Sequence, residues 1–67
     1  MLVFLRHRTP DVLVQAGMNV KGKPIITLSA KPYKMVVEGK SVEECKDMNV
    51  INRLIEDFKE WIDEDES

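Results

Sequence analysis

The spacing of hydrophobic residues changes once along this chain, and that change constrains the fold more than any other feature. Between residues 11 and 20, Val12, Val14, Ala16, Met18 and Val20 alternate with Leu13, Gln15, Gly17 and Asn19. Successive side chains of a strand point to opposite faces of a sheet, so a period of two predicts a half-buried strand. From Val50 onward, Ile51, Leu54, Ile55, Phe58, Trp61 and Ile62 recur at helical spacing, with Asn52, Arg53, Glu56, Asp57, Lys59 and Glu60 between them. This predicts one amphipathic helix from about residue 49 to 63, capped by Asp47 or Asn49.

Turn residues divide the N-terminal part into short strands. Leu2 to Arg8 makes a first strand that stops at Thr9, Pro10 and Asp11. The stretch Lys21, Gly22, Lys23, Pro24 separates the alternating strand from a β-branched one over Ile25 to Ala30, and Lys31-Pro32 precedes another from about Tyr33 to Glu38. Short connections between consecutive strands predict an antiparallel meander. Residues 41 to 45 fit two descriptions. Glu38-Gly39-Lys40 is able to turn the chain into a fifth strand, which is the reading preferred here, while Ser41 with Glu44 three residues on fits a capping box for an earlier helix start. The fold class is therefore α+β: an antiparallel four- to five-stranded meander, with curling into a small barrel as one variant, packed by one C-terminal helix. Residues 1–63 form a single domain, and residues 64–67 have no apolar content and read as a disordered acidic tail.

One helix covers one sheet face. That face accounts for Val12, Val14, Met18, Val20, Ile26, Leu28, Met35 and Val37, and the other should be polar. Instead it carries Leu13, Ile25 and Val36, while the run Leu2, Val3, Phe4, Leu5 makes the first strand apolar on both sides. Leu2, Phe4, Leu13, Ile25 and Val36 are accordingly the candidate protein-interface residues. Chain length points the same way. A domain of 67 residues buries only about 60% of its unfolded surface and generally needs disulfides, a metal, a dense core or an oligomer. Cys45 is the only cysteine and His7 the only histidine, so neither an internal disulfide nor a clustered zinc site is available.

Charge separates along the chain. Residues 1–40 hold seven Lys or Arg against Asp11 and Glu38, a net of +5, and residues 41–67 reverse this to −7. Such asymmetry signals a partner. The principal expectation is a small non-enzymatic interaction or assembly protein, homo-oligomeric or an accessory subunit of a larger protein, of a size common among phage and mobile-element accessory proteins. The alternative is a nucleic-acid-binding module, with Lys21, Lys23, Lys31 and Lys34 on phosphates and Tyr33 stacking on a base.

Catalysis has little to draw on. His7 lies between Arg6 and Arg8 with no adjacent nucleophile, and Cys45 lies beside Glu43 and Glu44, which oppose thiolate formation. The calcium-loop spacing and the glycine-rich phosphate loop are absent. No catalytic residue, metal ligand, cofactor or small-molecule substrate is expected. Cys45, Phe58 and Trp61 read as core, and Gly17 as a bulge or a close backbone approach. Neither a membrane span nor a secretory h-region is present, since Leu2 to Leu5 give way to Arg6, His7 and Arg8, and a cytoplasmic location is expected.

Overall fold

The computed structural model describes residues 2–66. Four strands run β1 (Leu2–Arg8), β2 (Leu13–Met18), β3 (Pro24–Ala30) and β4 (Tyr33–Glu38), followed by helices α1 (Val42–Lys46) and α2 (Met48–Glu66). The strands form one open antiparallel sheet in the order β1-β2-β3-β4. This is the α+β meander that the alternation predicts. The sheet has four strands rather than five, and it does not close into a barrel.

Each connection is explained by its own residues. Between β1 and β2, the Thr9 hydroxyl accepts from the Val12 amide at 2.9 Å while the Thr9 amide donates to the Val12 carbonyl at 2.9 Å. Between β2 and β3, Asn19 Oδ1 accepts from the amides of Lys21 and Lys23, both at 2.9 Å, and Gly22 takes a φ of 80°, open to a residue without Cβ. Lys31 and Pro32, joined by a cis peptide bond, connect Ala30 to its cross-strand partner Tyr33.

The core lies between the sheet and the helices. Val12, Val14 and Ala16 at and within β2, Ile26 and Leu28 of β3, Cys45 of α1, and Ile51, Ile55 and Phe58 of α2 are buried. No buried polar or charged residue occurs among the described residues. Met35 and Val37 of β4 pack partly against it, as do Phe4 and Leu5 of β1. Cys45, read as core, is fully buried, and so is Phe58, whereas Trp61 stays 42% exposed at the helix flank.

Three sequence expectations need correction. Val20 does not join the core: β2 ends at Met18, and Val20 lies in the following turn, 96% exposed. Residues 42–46 are helical and not a fifth strand. The Ser41 hydroxyl accepts from the Glu44 amide at 3.2 Å, and a helix brings Val42 and Cys45, three apart, to the same side, whereas a strand would split them across its two faces. Finally, α2 begins at Met48, with Asp47 Oδ1 accepting from the Asn49 amide at 2.9 Å, and continues through Glu66. The acidic segment expected as a disordered tail is helical through its described residues, and Ser67 lies outside them.

The β1 run that is apolar on both sides has a structural cause. The β1–β2 register pairs Leu5 with Ala16 and Val3 with Gly17, leaving Phe4 as the extra residue of a β-bulge. The bulge lets Phe4 and Leu5, neighbours in sequence, both pack towards the core. Lys46 Nζ lies 5.5 Å from the Phe4 ring centroid and closes this corner.

Candidate interaction face

Directly paired residues on neighbouring antiparallel strands point to the same side. Register therefore assigns each strand position to the helix side or to the uncovered side. One row on the uncovered side is Arg6, Gln15, Thr27 and Val36; a second is Arg8, Leu13, Ser29 and Lys34; a third is Val3, Gly17, Ile25 and Glu38. Both helices lie on the opposite side, so among the described residues these rows have no intramolecular cover.

Of the five residues expected at an interface, Leu13, Ile25 and Val36 lie on this face, and Val36 is 55% exposed. Phe4 is turned inwards by the bulge. Leu2 pairs with Met18, on the helix-side parity, and stands 64% exposed at a sheet corner. Val3 takes the place expected for its neighbours, 41% exposed. A one-residue bulge inverts side-chain parity, and only the unusual four-residue apolar run hinted at it.

The apolar residues form a strip and an outlier. Val3 and Ile25 flank Gly17 on either side, and Val36 is the diagonal neighbour of Ile25 across β3 and β4. Gly17 has no side chain to separate Val3 from Ile25, and a Cβ there would strike the Leu2 carbonyl oxygen. Leu13 stands at the far end of β2, bordered by Arg8 and Ser29. The charged residues of the face are Arg6, Arg8, Lys34 and Glu38, a positive excess. The Gln15 amide, oriented with its oxygen towards Arg6, accepts from Nε and Nη2 at 3.1 Å each and lays the guanidinium along the sheet.

The residues suggested for nucleic acid are dispersed. Lys21 and Lys23 belong to the β2–β3 turn, while Lys31 and Lys34 sit at the opposite end of the sheet, about 20 Å away for six residues of strand. Tyr33 is on the helix side, opposite Ala30. Its ring meets Trp61 edge-on with centroids 5.6 Å apart, and its hydroxyl donates to Asp65 Oδ2 at 3.0 Å. That hydrogen bond, with lesser desolvation and the nearby charges of Asp65 and Glu66, raises the Tyr33 pKa above its ordinary 10.0.

Elsewhere the chemistry is sparse. Burial, reinforced by the Glu44 carboxylate, raises the Cys45 thiol pKa and disfavours the nucleophilic thiolate. His7 lies half-buried opposite Val14 on a strand that offers it no nucleophile. Among the described residues, no group of three or more His, Cys, Asp or Glu gathers to hold a metal, and no helix is long and apolar enough to cross a membrane. An open groove of about 260 Å³ runs between the β3–β4 turn and the end of α2, with Asp11, Lys31, Lys59, Asp63 and Glu66 around Tyr33. Its lining mixes two lysines with three carboxylates, so it offers no single-sign field to an anion or a cation. No family model, no curated protein and no solved structure matches this chain.

Proposed function

We propose that this protein is a small non-enzymatic assembly protein, cytoplasmic, which associates with a second copy of itself through the uncovered sheet face. The observation supporting this is the strip Val3, Ile25 and Val36 on a face without intramolecular cover, in a chain whose helices cover only the other side. A lone exposed valine is ordinary, but an apolar strip with side chains from β1, β3 and β4 and only Gly17 between them on β2 is a surface on which water is poorly placed.

The size of the face sets the strength. Four strands about 4.8 Å apart and about 20 Å long present on the order of 400 Å², half of the roughly 800 Å² per partner in a standard stable interface. Association is therefore weak, with a dissociation constant in the micromolar range or above.

Light scattering across a concentration series up to about 1 mM is the direct test, since weak complexes populate only near their dissociation constant. The mean mass should rise with concentration, and Ile25→Asp should abolish the rise while leaving the far-ultraviolet circular dichroism unchanged. A wild-type mass that stays monomeric throughout would refute self-association.

The second reading, nucleic acid, draws on Arg6, Arg8 and Lys34 sharing this same face. Titration of a fluorescent single-stranded oligonucleotide separates the two: binding that weakens steeply with salt and is lost in Arg6→Glu would favour it over assembly.

A further inference from the structure

We infer that the surface received by the uncovered sheet face is the flank of α2 in the next copy, so that the chain assembles head to tail; this rests on the assembly reading above. Helix α2 carries two adjacent apolar stripes. Ile51, Ile55, Phe58 and Ile62 recur at three- and four-residue intervals and face the sheet of their own chain. One residue earlier in each turn run Val50, Leu54, Asp57 and Trp61, a second stripe with the same spacing. Val50 and Leu54 are half-buried, each with part of its side chain packed against the core and the rest at the surface; Trp61 stacks on Phe58 yet stays 42% exposed, and Asp57 is exposed. Glu56 and Glu60 lie beyond Asp57, while Arg53, one turn before Asp57 and beside Val50 and Leu54, is the basic residue bordering this flank, which stays net acidic.

Charge decides which surfaces meet. Two uncovered sheet faces placed against one another would each bring three cations, Arg6, Arg8 and Lys34, and the single acid Glu38, a net positive surface against a net positive surface. Two α2 flanks placed together would confront Asp57, Glu56 and Glu60 with the same set, relieved only by Arg53. Both self-complementary arrangements therefore set like charge against like, which costs association. The sheet face against the α2 flank pairs the arginines with the acids and the strip Val3, Ile25, Val36 with Val50, Leu54 and Trp61. This is also the spatial form of the charge asymmetry in the sequence, the sheet being basic and the helices acidic. An interface between two different surfaces does not close at two copies; it continues as a ring or an open row.

Two surface variants test this by complementation. Variant one, Arg6→Glu with Val36→Asp, removes the sheet side; variant two, Asp57→Lys with Glu60→Lys, removes the helix side. All four positions are exposed, and circular dichroism with a thermal melt checks folding; if variant one fails that check, Lys34→Glu with Val36→Asp replaces it. The expected result is that each variant alone is monomeric by light scattering while their mixture gives a complex of two chains and no larger, because one intact sheet face meets one intact flank. Continued self-association of variant two, with variant one monomeric, would overturn the head-to-tail arrangement and leave a sheet-to-sheet dimer, preserving the assembly reading. Self-association of variant one, or a monomeric wild type, would overturn both. Two monomeric variants whose mixture stays monomeric, against an associating wild type, would overturn the head-to-tail arrangement alone.

Discussion

The Tyr33 hydroxyl donates to Asp65 Oδ2 at 3.0 Å, joining the first residue of edge strand β4 to the last turn of α2 across thirty-two positions of sequence. Asp63, Glu64, Asp65 and Glu66 crowd the C-terminal end of a helix, where the peptide dipoles already leave negative potential, and no basic residue stands in that turn. The tyrosine supplies a donor where the helix itself has none to spare.

Tyr33→Phe should therefore fray the last turn of α2 without unfolding the domain. Amide hydrogen exchange should quicken over residues 62–66 and remain unchanged at Ile51 and Ile55. Unchanged exchange at the helix end would show that the hydroxyl does not hold it.

The same pair gives a pH dependence with a definite sign. Tyrosine is charged when deprotonated, and its hydrogen bond to Asp65 raises its folded pKa above 10.0. Its contribution is present in full below the unfolded value and is lost as pH rises through the folded one. Phenolate absorbance should titrate above the free-tyrosine midpoint in the native protein, and Asp65→Asn should bring it down. An identical midpoint in both proteins would contradict this assignment.

Gly17→Ala should destabilise the β1 corner, because the new methyl group would occupy the space of the Leu2 carbonyl oxygen, which is backbone and cannot rotate away. Overpacking of this kind costs about 1 to 3 kcal/mol. Gly22→Asn is the control: nothing lies within 4 Å of a Cβ there, and asparagine tolerates the positive φ. Thermal melts should fall for the first and stay near wild type for the second; equal losses would mean that the bulge yields to accommodate a side chain.

Much of this fold was legible from hydrophobic spacing because the relevant signals are local. Alternation over Val12 to Met18 and the helical recurrence from Val50 to Ile62 each follow from one element burying one side. What the sequence concealed depends on contacts between elements. The inward turn of Phe4 follows from a register shift against β2, which no property of Leu2 to Leu5 alone specifies. Residues 42–46 were ambiguous because a five-residue segment completes neither period clearly, and Ser41's bond to the Glu44 amide decided it. Leu13, Ile25 and Val36 were assigned correctly to the uncovered face because β2, β3 and β4 pair without interruption. The gathering of Arg6 and Arg8 with Lys34 on that face is not legible in the charge of a segment, because which side of the sheet a residue takes depends on register.

Ser41→Ala should cost about 1 kcal/mol by removing the side-chain acceptor of the Glu44 amide. In a domain of this size that lowers the melting temperature by roughly 4 to 8 °C. Ser41→Asp should preserve stability, since an aspartate supplies an equivalent acceptor and an anion at the start of the helix. A wild-type melting temperature in Ser41→Ala would mean that α1 is held by the burial of Cys45 alone.

Gly39 and Cys45 form a coupled pair whose substitutions should partly cancel. A Cβ at Gly39 would lie 2.7 Å from Cys45 Sγ, while its next neighbours, the carbonyl oxygens of Ser41 and Pro24, are at 3.6 and 3.9 Å. The sulfur is thus the single obstruction, and it is itself fully buried with nowhere to move. Gly39→Ala should therefore cost about 1 to 3 kcal/mol through overpacking. Cys45→Ala should cost about 1 to 2 kcal/mol through the void left by the sulfur. In the double variant the new methyl group enters the space the sulfur has vacated, so the combined loss should fall below the sum by about 0.5 kcal/mol or more, the mark of residues in direct contact. Chemical denaturation of the four proteins measures this coupling. Strict additivity would mean that Gly39 and Cys45 do not share that space, and that the α1 turn adjusts independently of the loop leaving β4.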